Sequence, residues 1–280
     1  MEGFFTIKEV VENYIKGCHS KVKSSPTKIF GKAVLAGAMI AMGAGASSVA
    51  AHSISNVGLS RLAAAVVFPV GLMMVVLLGA ELFTGDCLAV ISVFDKKQKL
   101  FDVVKFLFFV YIGNFVGALI ISALTYFSGQ LDYSSGMLGA YTIKVALGKV
   151  NISFSQGVAS GILCNILVCA AVFMASCAKD VTGKLLACFF TILLFVTAGF
   201  EHCVANMYYI TAGLFACENA DYLSLAQQAY GFTAQQLSSL NIIGFLKGNL
   251  LPVTIGNILG GMLFVGAPIY YLNKNKTKKQ

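Results

Sequence analysis

Four ionisable residues, Glu81, Asp86, Glu201 and His202, stand in stretches of the 280-residue chain that are otherwise apolar. An ionised group in hydrocarbon costs at least about 2.5 kcal/mol unless it is paired or wet, so each needs a physical reason to be there. A carboxylate can pin irregular backbone by accepting N–H bonds, or it can touch a passing solute. For Glu81 and Glu201 pinning is the stronger reading. Asp86 follows Gly85 and is read first as the cap of a half-helix starting there, ahead of a pore role. Asn206 holds the corresponding place near Glu201. His202 carries an imidazole that exchanges protons near neutral pH. It is read either as a satisfied core residue or, preferred, as a proton-exchange partner for a permeating weak acid. Thr84 can both donate and accept through its hydroxyl, and could face His202. Phe68, Leu72, Leu82 and Phe195 flank the same stretches, where apolar rings can exclude hydrated ions; ordinary helix packing is their default reading.

Other chemistry finds little support. No His-Glu-x-x-His or comparable ligand set occurs, so no metal, cofactor or catalytic residue is expected and the chain is not read as an enzyme. The eight cysteines contain no Cys-x-x-Cys pair, which favours buried free thiols over a disulfide or metal framework.

The elements that must hold these residues are membrane spans. With 58% hydrophobic and 11% charged residues and a mean hydropathy of +0.80, the chain has too little polar surface to coat a water-soluble domain. Six apolar runs of spanning length lie near 33–54, 62–94, 103–127, 154–178, 185–214 and 248–272. The second and fifth are too long for one plain helix and are read as broken near 83–86 and 200–204. Non-helical backbone survives in lipid only where protein buries it or it lines a wet cavity, so the breaks should face a pore.

Lysines before the first run, after the second, between the fourth and fifth and after the sixth all fall on one side, which the positive-inside rule makes cytoplasmic. Arg61, Lys144, Lys149 and Lys247 are left on the other. Both termini are therefore expected in the cytoplasm of a multi-pass cell-membrane protein. The net charge of +8 reflects this bias rather than nucleic-acid binding. Residues 1–32 show no signal-peptide pattern; their helical apolar spacing from Thr6 to Val22 suggests an amphipathic helix, on the membrane surface or packed on a neighbouring subunit.

Three pairs of segments repeat in the same order. Gly79 and Glu81 match Gly199 and Glu201, Ile112-Gly-Asn-Phe-Val-Gly117 matches Ile255-Gly-Asn-Ile-Leu-Gly260, and Phe30 to Gly37 shares its Phe and Gly with Phe154 to Gly161. Three spans per copy turn the second copy upside down, the arrangement of inverted repeats. The expected organisation is an N-terminal segment 1–32, a first repeat 33–129, an extracytoplasmic connection 130–152, a second repeat 153–272 and a basic tail 273–280.

Glu81-Leu-Phe-Thr-Gly, Gly161-Ile-Leu-Cys-Asn165, Gly199-Phe-Glu-His-Cys-Val-Ala-Asn206 and Asn249-Leu-Leu-Pro-Val-Thr-Ile-Gly-Asn257 resemble the signature stretches of the formate/nitrite transporter family, and the resemblance runs over nearly the whole chain. Within the family the sequence looks closest to the bacterial hydrosulfide channels. The resemblance implies an aquaporin-like all-α protomer of six spans, a homopentamer with one pore per subunit, and passage of small monovalent anions or their conjugate acids such as formate, nitrite, lactate or hydrosulfide. It matches Thr84, His202 and Asn165 to the central pore, Lys149 to the outer vestibule, and Phe68, Leu72, Leu82 and Phe195 to the constrictions. Thr84-Gly-Asp-Cys departs from the formate channels, which makes hydrosulfide the leading expectation. His202 could protonate the anion or hydrogen-bond it together with Thr84. A proton-coupled weak-acid carrier remains an alternative. So does an aquaporin-type neutral-solute channel, although Val204-Ala205-Asn206 is followed by Met207 rather than completing an Asn-Pro-Ala motif.

Overall fold

The computed structural model describes residues 3–273. Lys274, Lys276, Lys278 and Lys279 of the expected basic tail lie outside the described residues. Helix α1 (Ile7–Val22) starts at a capping box in which Thr6 and Glu9 exchange bonds, satisfying two otherwise orphaned N–H groups. Ser25 caps α2 (Pro26–Ala51), with Pro26 in the first turn where its missing N–H does no harm. Asn56 caps α3 (Val57–Leu78). There follow α4 (Phe83–Phe94), α5 (Leu100–Phe127) and α6 (Met137–Val150). A second capping box, Ser153 with Gln156, opens α7 (Phe154–Cys177). Asp180 caps α8 (Val181–Ala198), and α9 (Cys203–Ala216), α10 (Ala220–Tyr230) and α11 (Gly244–Asn273) complete the order. Helices α2, α3, α5, α7, α8 and α11 are long and apolar enough to cross a membrane. Among the described residues there is no strand, only an isolated bridge between Phe4 and Ala178.

Four boundaries differ from the sequence reading. The first span begins at Pro26 rather than near 33, because the Ser25 cap starts the helix ahead of Lys28 and Lys32. The second run, 62–94, is α3 and α4 with Gly79–Leu82 between them, and the fifth, 185–214, is α8 and α9 with Gly199–His202 between them. The connection 130–152 is largely the helix α6.

Helix α1 packs much of its apolar stripe on its own chain, while Ile7 stays 44% exposed. Val10, Val11 and Cys18 are buried against the chain's own helices. The core pairs are α2 with α5 and α7 with α11, where small residues let backbones touch. A methyl at Gly37 would overlap the Asn114 backbone, and one at Gly256 the Val158 carbonyl. Around Leu251–Leu259 helix α11 widens into π-helical turns at Gly244–Leu250 and Gly260–Gly266, a distortion that often accompanies functional sites.

Candidate functional site

Both interruptions are built alike. Helix α3 ends at Gly79 and α8 at Gly199, each in the left-handed region (φ 61° and 75°) that glycine adopts without steric cost. The stranded backbone beyond is stapled by an asparagine from a distant helix. Asn114 Oδ1 accepts from the Phe83 N–H at 2.9 Å, and its Nδ2 donates to the carbonyls of Ala33 at 2.8 Å and Glu81 at 2.9 Å. Asn257 Oδ1 accepts from the Cys203 N–H at 2.9 Å, and its Nδ2 donates to the carbonyls of Gly161 at 2.8 Å and Glu201 at 3.0 Å. Both side chains are fully buried, where an unpaired polar group would cost about 1–3 kcal/mol.

The pinning expected of the Glu81 and Glu201 carboxylates is therefore done by Asn114 and Asn257. The carboxylates serve ion pairs instead. Glu81 lies 2.5 Å from Lys21 Nζ and 3.4 Å from Lys32 Nζ. Glu201 accepts from Lys149 at 2.7 Å and, through Oε2, from Asn206 Nδ2 at 2.6 Å and Asn249 Nδ2 at 3.4 Å. Asp86 caps no helix. The half-helix starts at Phe83, which leaves Asp86 inside it, and its carboxylate accepts from Lys21 at 2.9 Å. Burial of Lys21 favours its neutral form, but Asp86 and Glu81 outweigh this and hold its ammonium well above the ordinary lysine value.

Thr84 and His202 meet between the two interruptions, with Oγ1 and Nε2 2.9 Å apart. The His202 Nδ1 caps α9 by accepting from the Ala205 N–H at 3.0 Å. A ring nitrogen that accepts carries no hydrogen, so the neutral ring holds its proton on Nε2 and donates it to Thr84. The Thr84 hydroxyl hydrogen is then left to donate elsewhere. Forming the imidazolium would set a second N–H against that of Ala205. Asn165 holds this pair from behind, donating to the carbonyls of Thr84 at 3.2 Å and Asn257 at 2.6 Å, while Cys169 Sγ donates to the Thr84 carbonyl at 3.3 Å.

One cavity reaches His202 and another reaches Leu82 and Gly85, close to Thr84 in the chain. On the face carrying α1, a cavity of about 430 Å³ is lined by Leu72, Leu82, Gly85 and Asp86 and covered by Tyr14, Cys18 and Lys21. On the opposite face, one of about 180 Å³ is lined by Phe68, Phe195, His202, Asn206, Lys149 and Arg61. A wider chamber of about 830 Å³ shares Arg61 and Lys149 with it. The four constriction candidates thus divide by face. Phe68 and Phe195 meet edge to face with centroids 5.5 Å apart, and Phe195 stacks 6.0 Å from His202; all four side chains are buried. Among the described residues no three His, Cys, Asp or Glu side chains converge as a metal site would require.

Sequence reasoning missed Asn114 and Asn257 as staples, Lys21 as the partner of Glu81 and Asp86, and Arg61. For the asparagines the signal was present in the repeated Ile-Gly-Asn. Lys21 offered none, because it sits 65 residues from Asp86 in a helix that reads as an amphipathic surface segment.

A sequence model described as "Formate/nitrite transporter" matches residues 8–271. The formate channel FocA of Haemophilus influenzae is 38% identical over 219 residues, which are 78% of this chain and 76% of that protein. The FocA of Escherichia coli K12 is 33% identical over 260 residues, 91% and 90% of the two chains. A solved structure titled "Pentameric formate channel with formate bound" superposes with a TM-score of 0.78 at 31% identity, covering 88% of this chain and 97% of that one.

Proposed function

Because the chain belongs to the formate/nitrite transporter family, we propose that it forms a pore for a small monovalent anion or its conjugate weak acid, with the Thr84–His202 pair as the selectivity point. Relatives that act as channels and transporters leave the intramembrane-enzyme reading without support. The observation that carries the proposal is the pair itself: Thr84 Oγ1 and His202 Nε2 2.9 Å apart, with His202 lining one cavity and Leu82 and Gly85, on either side of Thr84 in the chain, lining another.

A bare charge resists entry to the apolar rings of Phe68 and Phe195 on one side and Leu72 and Leu82 on the other. Protonation of the solute removes that barrier, and an apolar surrounding raises a weak acid's own pKa toward the neutral form. The ring geometry favours His202 as a hydrogen-bond donor over His202 as proton source. Giving up its Nε2 proton would leave an imidazolate, so the solute takes its proton from water in a cavity. His202 then polarises Thr84, and Thr84 donates to the solute.

We place the α1 face in the cytoplasm, on the lysine distribution, and read residues 33–129 and 153–272 as inverted repeats, on the matching bonds of Asn114 and Asn257. The names of the relatives favour formate. Hydrosulfide is a second reading, favoured by the Gly85-Asp86-Cys87 departure and by the ease with which so weak an acid becomes neutral.

The test is initial flux into proteoliposomes for formate, nitrite, hydrosulfide, chloride and water. Formate or hydrosulfide flux well above that of empty vesicles is expected, with chloride near background. Fast water flux without anion flux would sink the reading. His202→Ala should reduce weak-acid flux, and an unaltered flux would assign His202 to packing.

A further inference from the structure

We propose that Arg61, rather than Lys149, is the anion-collecting charge of the chamber opposite α1, and that its planar fork favours flat oxyanions over single-atom anions. The inference rests on the channel reading above and names the substrate class of that same pore.

The chamber of about 830 Å³ is lined by three cationic side chains, Arg61, Lys144 and Lys149, with Glu201 among them. Only Arg61 and Lys149 also line the inner cavity beside His202. Lys149 is the obvious candidate by position, yet its ammonium lies 2.7 Å from the Glu201 carboxylate, with both side chains mostly buried. Seen by an approaching anion the two charges largely cancel. Lys144 is spent on the wall, 4.5 Å from the Tyr230 ring centroid and 5.7 Å from that of Tyr141.

Arg61 is different. Among the described residues no carboxylate pairs with it, and its one recorded bond is from Nη1 to the Thr197 carbonyl at 3.4 Å. A guanidinium has five N–H donors, so one bond leaves donors for a ligand in the two cavities that Arg61 lines. It is nonetheless seated. Thr197 lies in the last turn of α8, where helix carbonyls attract a cation, and a methyl on Gly199 would collide with Nη1. Gly199 is required by its positive φ, and its missing side chain leaves the room in which the guanidinium rests. The corresponding Gly79 has no side chain or backbone within 4 Å of where its Cβ would stand. The seat therefore exists at one break only.

An anion entering from this face meets Arg61 in the wide chamber and again in the inner cavity, before Phe68 and Phe195. A guanidinium matches two oxygens of a carboxylate or nitrite side by side, which an ammonium cannot do and a single sulfur or chloride atom cannot use. Arg61 should accordingly raise the local concentration of all small anions and add a preference for flat ones.

The experiment measures initial influx at low and at physiological salt, for the wild type, Arg61→Gln, Arg61→Lys and Lys149→Gln, with formate, nitrite and hydrosulfide as probes. For Arg61→Gln the half-saturating concentration of each anion should rise roughly tenfold at low salt, with much of the salt dependence lost. Arg61→Lys should keep the salt dependence but lose affinity for formate and nitrite relative to hydrosulfide. Equal half-saturation and salt dependence in wild type and Arg61→Gln would overturn the proposal, as would a loss of collection confined to Lys149→Gln. A wild type that carries none of the three anions would instead overturn the channel reading. The Lys variant keeps the seat filled, so a folding defect limited to Arg61→Gln leaves the selectivity arm decisive.

Discussion

At the scale of single residues the centre of the molecule is one hydrogen bond with a direction. Ala205 fixes Nδ1 of His202 as an acceptor, Nε2 must then donate, and Thr84 receives that donation while keeping its own hydrogen. Thr84→Val preserves shape and volume but removes the acceptor and the free donor together. It strands a buried N–H at a cost of about 1–3 kcal/mol, and the solute loses its hydrogen-bond partner. Anion flux should fall at least about tenfold, the equivalent of 1.4 kcal/mol, while Thr84→Ser should retain most of it. Stopped-flow flux of the two variants checks this, and equal flux through Val and Ser would remove the hydroxyl from the mechanism.

At the scale of elements the interruptions depend on side chains from other helices. Asn114→Leu strands the Phe83 N–H and the carbonyls of Ala33 and Glu81; Asn257→Leu does the same to Cys203, Gly161 and Glu201. Each variant should lose at least about 2 kcal/mol, with similar drops in melting temperature in detergent, whereas Asn151→Ala on the exposed rim should lose little. A drop in one staple variant but not the other would deny their equivalence. Much of this level was legible in the sequence. Run length pointed to the two helix gaps, and the repeated Ile-Gly-Asn pointed to the two asparagines that make matching bonds. The staple register was not legible. The contacts set Ala33 opposite Gly161, whereas the sequence match sets Gly37 there, a shift of about one helical turn that apolar composition alone does not resolve. Asp86 was misread because a cap depends on where the helix begins: the sequence suggested a start after Gly85, whereas the helix starts at Phe83. Lys21 and Arg61 escaped notice because their partners lie far away in the chain and a charge outside an apolar run reads as solvated.

At the scale of the whole molecule, the spans bury themselves unequally. The central window of α2 is 56% buried within the chain, that of α3 33% and that of α8 only 22%. Helices so little covered by their own chain have broad faces left for lipid or for other copies, and the structural relative is titled a pentamer. Native mass spectrometry in mild detergent should read more than one chain per particle if copies cover those faces; a single chain would leave them to lipid, with the Thr84–His202 pair still formed within one chain. The staples also sort the chain by the time of its making. Every partner of Asn114 lies upstream of it, so the first interruption can be locked while translation is still in progress, once the segment carrying Asn114 has left the ribosome. The Thr84–His202 bond must wait for His202, which follows Thr84 by 118 residues. Nascent protein arrested between these points would carry a finished first bend around a selectivity site with only one wall, so a helper that shields half-made membrane proteins would have most to do in that interval.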